Sequence, residues 1–190
     1  KNANNLTKVS IPNTVKKIGS MSFYHCEKLS SVTLPNTLTE IGYGAFNGTT
    51  ALTTITIPKT VTKAGSDVFM DSGLKTATIE NGAAVVADNL FKNANNLTKV
   101  SIPNTVKKIG SMSFYHCEKL SSVTLPKNLN EIGYKAFDST KALKSITIPK
   151  TVTENGNYVF LNSGIETAII ENGATSVPNK SDTDNHSKYS

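Results

Sequence analysis

The chain has 190 residues, of which 37% are hydrophobic, and a net charge of +6. Its 20 basic residues are all lysine and no lysine run exceeds two, which disfavours a nucleic-acid surface because bidentate contacts to bases and phosphates are mainly made by arginine. No apolar stretch approaches the roughly 20 residues needed to span a bilayer. The sequence shows no signal-peptide pattern and does not begin with methionine, so we expect a segment of a longer precursor.

Repeats organise the whole chain. Residues 1–35 are identical to residues 92–126, and within each 91-residue super-repeat a shorter unit recurs every 22 or 23 residues. Such a period is typical of a solenoid. It predicts about eight coils over residues 1–178, followed by a polar tail or linker at 179–190. The apolar residues that define the period are Leu6, Leu29, Leu52, Leu74, Leu97, Leu120, Leu143 and Ile165.

Each unit contains the same predicted elements in the same order. The alternation Val9-Ser10-Ile11 predicts a strand with serine facing outward, and Pro12 ends it because proline lacks an N–H. We expect the glycine that follows, Gly19 in the first unit, to adopt a positive φ. A short helical or 3₁₀ turn is expected next. It would place one aromatic ring per coil in a stacked column made of Phe23, Phe46, Phe69, Phe91, Phe114, Phe137 and Phe160.

Three places depart from this pattern. The motif "IENG" replaces the strand-ending proline at residues 79–82 and again at 170–173, where we expect the Asn-Gly turn to supply the positive φ. Asn155 occupies a position that is otherwise apolar. We therefore expect the layer around Asn155 to be locally weaker.

The unit "LTKVSIPNTVKKIGSMSFYHCEKL" resembles the leucine-rich repeat of BspA-like (Treponema pallidum-type) surface proteins. The resemblance implies a right-handed leucine-rich repeat solenoid with one parallel sheet on its concave side and short 3₁₀ or helical turns on its convex side. It also implies a non-catalytic protein-interaction or adhesion module of a secreted or surface-displayed bacterial protein. Such a module would bind host or matrix macromolecules.

The pairs His25-Cys26 and His116-Cys117 are candidates for a metal or nucleophile site. Four stacked coils separate the two cysteines by roughly 19 Å, whereas a disulfide needs Cα atoms within about 7 Å. We therefore predict two buried free thiols under turns, rather than catalysis or metal binding. No convergent acid, base and nucleophile set is present, and the sequence indicates no cofactor, no metal and no enzyme activity.

The outward positions of the predicted strands form a surface of hydroxyl groups, which we call the hydroxyl face. It contains no Trp, Tyr or Arg, the residues that usually dominate binding energy, so we expect weak, multivalent contacts with a protein or glycan ligand. The tyrosines on the turns, at positions 24, 43, 115, 134 and 158, are further contact candidates. The hydroxyl face comprises Lys8, Ser10, Ser31, Thr33, Thr54, Thr56, Thr76, Thr78, Lys99, Ser101, Ser122, Thr124, Ser145 and Thr147.

Two further hypotheses concern charge and role. Stacking predicts ion pairs Lys17–Glu40, Glu40–Lys63 and Lys108–Glu131, each of small energy, and an unfavourable approach of Glu131 to Glu154. The alternative function is a structural spacer or stalk that displays another domain. We also expect end-to-end self-association through the first coil, whose strand edge has no cap.

Overall fold

A computed structural model describes residues 3–176, and the predicted tail lies outside that range. The described chain contains fifteen short strands and no helix, hence none long and apolar enough to cross a membrane. All strand pairs are parallel and join residues 22 or 23 apart, as in Lys8 opposite Ser31 and Ile148 opposite Ile170. Successive units are therefore vertical neighbours, which confirms the solenoid.

The first row of strands lies where the alternation predicted it. Burial alternates along Thr54–Ile57, with both isoleucines buried and both threonines exposed, because successive side chains of a strand point to opposite faces. The eight strands of this row are β1 (Lys8–Ser10), β3 (Ser31–Thr33), β5 (Thr54–Ile57), β7 (Thr76–Ile79), β9 (Lys99–Ser101), β11 (Ser122–Val123), β13 (Ser145–Ile148) and β15 (Thr167–Ile170). Their hydrogen-bonded ladders are β1–β3, β5–β7–β9–β11 and β13–β15.

A second row of strands, each two residues long, also extends along the stack. The sequence did not indicate this row. Two residues are too few to produce a recognisable alternation. The strands are β2 (Lys17–Ile18), β4 (Glu40–Ile41), β6 (Lys63–Ala64), β8 (Val85–Val86), β10 (Lys108–Ile109), β12 (Glu131–Ile132) and β14 (Glu154–Asn155). Their ladders are β2–β4–β6 and β8–β10–β12–β14.

The prediction of helical or 3₁₀ turns after the second row is wrong. Every second N–H in this segment donates to the next coil instead of to its own: Met21 donates to the carbonyl oxygen of Tyr43 at 2.8 Å, and Phe23 and His25 continue the pattern at 2.8 Å. A helix needs those N–H groups for bonds within its own turn. The segment is consequently a series of tight turns hydrogen-bonded from coil to coil.

Two residues in each turn segment adopt the left-handed conformation, with φ between 51° and 72°. Glycine, asparagine and aspartate tolerate this region best, and they fill about half of these positions. The first column is Met21, Gly44, Asp67, Asn89, Met112, Lys135 and Tyr158, and the second is His25, Gly48, Asp71, Asn93, His116, Ser139 and Asn162.

The recurring glycine, which follows every second-row strand except β8, does not have a positive φ, so that prediction is also wrong. The glycine instead allows the backbones of two successive coils to approach each other closely. A Cβ on Gly65 would lie 2.4 Å from the backbone nitrogen of Tyr43 in the preceding coil, and one on Gly156 would lie 2.2 Å from that of Tyr134. A side chain at either of these two glycines would push two coils apart.

The core is a set of columns that run along the stack. The predicted phenylalanine column is confirmed: neighbouring rings from Phe23 to Phe160 have centroids 5.1–5.8 Å apart and are close to parallel. The leucines from Leu29 to Leu143 that define the period are all fully buried. Because each ring packs against its neighbours above and below, one unit has no complete core of its own.

The two "IENG" departures from the repeat adopt the predicted positive φ, and the weaker layer at Asn155 stays a prediction. Gly82 and Gly173 of the "IENG" motifs have φ values of 95° and 93°. Asn155 lies opposite Ile132 in the second row. Its Nδ2 donates to Ser176 Oγ at 3.1 Å, while its buried Oδ1 has no hydrogen-bond partner within the described part of the chain, which is destabilising.

Candidate functional site

The hydroxyl face is a continuous outward surface of the first row. All fourteen residues assigned to it are exposed except Thr76, which is half-buried. The strand register places threonine beside threonine, with Thr54 opposite Thr76 and Thr56 opposite Thr78. Hydroxyls thus repeat at the strand spacing of about 4.8 Å.

Shallow grooves lie on this face. One, of about 490 Å³, crosses the second to fourth coils, and six of the assigned residues line it: Ser31, Thr33, Thr54, Thr56, Thr76 and Thr78. A second, of about 340 Å³, is lined in part by Thr124, Ser145 and Thr147, and a third, of about 370 Å³, by Ser10 and Thr33. Lys8, Lys99, Ser101 and Ser122 lie outside these three grooves.

The first and second grooves each include one carboxylate in their lining, and neither carboxylate was predicted from the sequence. Glu80 and Glu171 stand where other coils have the strand-ending proline. Their Oε2 atoms accept the backbone N–H groups of Lys59 at 2.9 Å and Lys150 at 3.1 Å. The "IENG" departure was the available signal. Ile169, 54% exposed, adds an apolar contact to the second groove.

The cysteine and histidine pairs do not converge. Cys26 and Cys117 are free and buried, as predicted, and burial raises the pKa of the Cys117 thiol. His25 Nδ1 lies 3.6 Å from Glu27 Oε1, so it does have a charged neighbour, but both side chains are largely exposed. Within residues 3–176 no group of three or more His, Cys, Asp or Glu side chains is arranged to hold a metal ion.

Charged side chains pair along the stack. Lys17 Nζ lies 2.7 Å from Glu40 Oε1 and Lys108 Nζ lies 2.8 Å from Glu131 Oε1, which confirms two predicted pairs. The hydrogen bond with Glu131 raises the pKa of Lys108. Lys63 lies opposite Glu40 in the ladder, but no ion pair within 4.0 Å joins them in the described structure. Glu131 and Glu154 are ladder neighbours as expected.

Two additional coil-to-coil ion pairs were not anticipated. They join Lys141 to Glu118 at 2.8 Å and Lys144 to Glu166 at 2.9 Å. The bond from Lys141 lowers the pKa of Glu118. All four side chains are substantially exposed, so the pairs contribute little to stability.

Three of the turn tyrosines form a cluster around one lysine. The Lys135 ammonium lies 5.8 Å from the ring centroid of Tyr115, 5.6 Å from that of Tyr134 and 5.8 Å from that of Tyr158. It also lies 3.5 Å from a carboxylate oxygen of Asp138. Lys135, in the turns, was not among the residues singled out from the sequence.

The stacked coils and the proline-ended strands define a leucine-rich repeat solenoid. The family model for the BspA-type leucine-rich repeat region matches residues 1–95 and 84–181. The chain belongs to this family.

Solved structures of leucine-rich repeat proteins have a fold similar to that of this chain. A leucine-rich repeat protein from Eubacterium ventriosum is 37% identical, with a TM-score of 0.72 over 84% of this chain and 43% of that one. One from Bacteroides ovatus is 29% identical, with a TM-score of 0.71 over 90% and 45%. The leucine-rich repeat protein of T. pallidum is 25% identical, with a TM-score of 0.66 over 83% and 76%. The chain spans less than half the length of the first two proteins. No curated protein matches the sequence significantly.

Proposed function

We propose that this chain is a non-catalytic interaction module of a secreted or cell-surface protein. It binds a protein or glycan ligand of a host, a matrix or a neighbouring cell through the hydroxyl face. Membership of the BspA-type repeat family supports an interaction role. The single observation that carries the proposal is the groove across β3, β5 and β7, where six side chains from three coils present aligned hydroxyl groups to solvent.

The chemistry of this groove suits extended polar ligands. Serine and threonine hydroxyls both donate and accept hydrogen bonds, and Glu80 adds one fixed acceptor. Each such contact is weak when exposed to water. Repetition along several coils therefore raises the overall affinity through multivalency.

The test is binding of the purified array to immobilised matrix proteins, mucins and glycans at low and high salt. Thr56→Glu, in the centre of the groove, should weaken specific binding by about tenfold because it buries an uncompensated carboxylate against the ligand. Thr62→Glu is the matched control, since Thr62 is exposed just before the second row. Equal effects of both substitutions, or binding that vanishes at high salt, would reject the hydroxyl face as the site.

The alternative is a structural spacer, and a column of threonines favours it. Thr37 Oγ1 lies 2.8 Å from the carbonyl oxygens of Asn13 and Val15, and Thr60 Oγ1 lies 2.6 Å from that of Leu38. Such bonds tie each coil to the preceding one and stiffen the stack. Uniform failure to bind any ligand in the assay above would favour the spacer.

Self-association through the first coil is a separate proposal. Its basis is the β1 edge, where Leu6, Val9 and Ile11 are only partly buried. Light scattering over a range of protein concentrations tests it, and a monomer at every concentration contradicts it.

A further inference from the structure

In the second super-repeat, three tyrosine rings surround the side-chain ammonium of a lysine from the same chain. Tyr115, Tyr134 and Tyr158 come from three successive coils, and Lys135 places its ammonium within 5.6–5.8 Å of all three ring centroids. This is the distance range of cation–π attraction. Partial burial lowers the pKa of Lys135, but the fields of Tyr134, Asp138 and Tyr115 outweigh it and the net pKa is raised.

The first super-repeat has tyrosines at two of these three ring positions and no lysine between them. Subtracting 91 converts Tyr115 to Tyr24, Tyr134 to Tyr43 and Lys135 to Gly44. The backbone conformation at this position is nearly the same in both halves, since φ is 55° at Gly44 and 52° at Lys135.

The hydrogen bonds and ring contacts also correspond. The carbonyl oxygens of Tyr43 and Tyr134 each accept a hydrogen bond of 2.8 Å from the preceding coil. Tyr24 lies 4.4 Å from the ring of His25, and the matching distance in the second half is 4.3 Å.

Space is available at Gly44. A Cβ there would meet no atom closer than 3.7 Å. Tyr43 is 44% exposed, and Tyr24 is half-buried. No lysine ammonium from residues 3–176 lies over either ring, whereas Lys135 lies over Tyr115. Lys92 also approaches Tyr115, and its counterpart, Lys1, lies outside the described residues.

We propose that Tyr24 and Tyr43 form an open cradle that receives the side-chain ammonium of a lysine on a partner protein. The occupant is identified by the second super-repeat, where the equivalent rings hold a lysine ammonium. The cradle lies on the turns, away from the hydroxyl face, so the two proposals stand or fall independently.

Besides Gly44 in place of Lys135, the cradle differs from its filled counterpart in two residues. Asn47 replaces Asp138, and Asp67 replaces Tyr158 with the same φ of 60°. The first half thus has two rings instead of three and keeps one carboxylate, at Asp67, whose Oδ1 accepts the Asn93 amide at 2.8 Å. We therefore expect a weak site that is selective for a cation and works in combination with other contacts.

The experiment is an NMR titration of the full chain with Nα-acetyl-lysine amide, with the neutral Nα-acetyl-norleucine amide as the matched probe. The lysine probe should shift the ring resonances of Tyr24 and Tyr43 saturably, and the norleucine probe should not. Gly44→Lys should fill the cradle from within and weaken probe binding at least about fivefold. Lys135→Gly should empty the equivalent site of the second super-repeat. The lysine probe should then also shift the resonances of Tyr115 and Tyr134.

Both variants are expected to fold, because the chain already accommodates lysine and glycine at this left-handed position. Circular dichroism checks this. Equal shifts with both probes, unchanged binding in Gly44→Lys, or no response of Tyr115 in Lys135→Gly would each overturn the proposal. Tyr43→Leu, which removes one ring without filling the space, should also abolish the lysine-dependent shifts, and retained shifts in that variant count against the cradle.

Discussion

At the scale of single residues, glycine follows six of the seven second-row strands and, from the second coil onward, lets the preceding coil approach closely. Gly19 and Gly110 share the same neighbours in sequence. A Cβ on Gly110 would lie 2.5 Å from the backbone nitrogen of Asp88, whereas one on Gly19 would meet only Ser22 Oγ at 3.4 Å. The requirement for glycine therefore comes from the preceding coil.

These two glycines provide a matched pair. Gly110→Ala should destabilise the protein by about 1–3 kcal/mol because it forces the backbones apart. Gly19→Ala should be neutral or stabilising by up to about 1 kcal/mol, since alanine restricts the unfolded chain. Urea unfolding of both variants measures the difference, and equal destabilisation would show that the glycine is needed for its own conformation.

Cys117 should be inert in the folded protein. It is fully buried, its Sγ lies 3.0 Å from the Phe91 carbonyl oxygen, and burial raises its pKa. Only the thiolate reacts with disulfide reagents. In a Cys26→Ser variant we expect no labelling of native protein between pH 7 and 9 and full labelling in denaturant. Rapid native labelling would mean that the turn above Cys117 opens readily.

At the scale of elements, the second row contains one polar residue in an otherwise apolar column. Asn155 places beside Ile132 a buried Oδ1 that has no hydrogen-bond partner among residues 3–176. Asn155→Ile should stabilise the protein by about 1–2 kcal/mol because it removes a buried polar group from an apolar column. Thermal unfolding measures this.

The control is Asn157→Ile. Asn157 is exposed, so the same change should stay within about 0.5 kcal/mol of the wild type. Equal stabilisation by both substitutions would attribute the gain to β propensity rather than to the column.

The elements differ in how far the sequence predicted them. Strands of the first row were predicted, because three or four alternating residues followed by Pro12 or Pro35 are sufficient to define a strand and its end. The pair Lys17-Ile18 gives no such signal, and its pairing depends on the next coil. The turns were expected to be helical because sequence pattern does not show that N–H groups such as that of Met21 donate to a neighbouring coil.

At the scale of the whole molecule, stability comes from coil-to-coil contact. Phe114 is fully buried between Phe91 at 5.5 Å and Phe137 at 5.1 Å. Phe23, in the identical local sequence, is half-buried and stacks on Phe46 at 5.1 Å. Identical residues therefore contribute differently according to their place in the stack.

Phe114→Ala should cost about 3–5 kcal/mol, and Phe23→Ala clearly less, because only the former opens a fully enclosed cavity. Urea unfolding followed by hydrogen exchange of the flanking coils distinguishes them. Similar losses for the two variants would indicate that the first coil is covered as completely as an interior one.

The candidate surfaces were predictable to different degrees. The outward positions of the hydroxyl face follow from strand alternation, and the structure leaves all but Thr76 well exposed. The cluster around Lys135 was not predicted. Its rings belong to positions 115, 134 and 158, and only the stacking of three coils brings them to one ammonium group.

The sequence by itself determined the period, the register and the identity of the core columns, because residues 22 or 23 apart become neighbours in any stacked solenoid. The tertiary structure alone decided burial and contact. Leu6 and Val15 are only partly buried, while Leu97 and Val106, the same letters in the second super-repeat, are fully buried. The physical reason is that each coil is only one layer thick. A side chain is therefore buried by the two neighbouring coils and not by other residues of the coil to which it belongs.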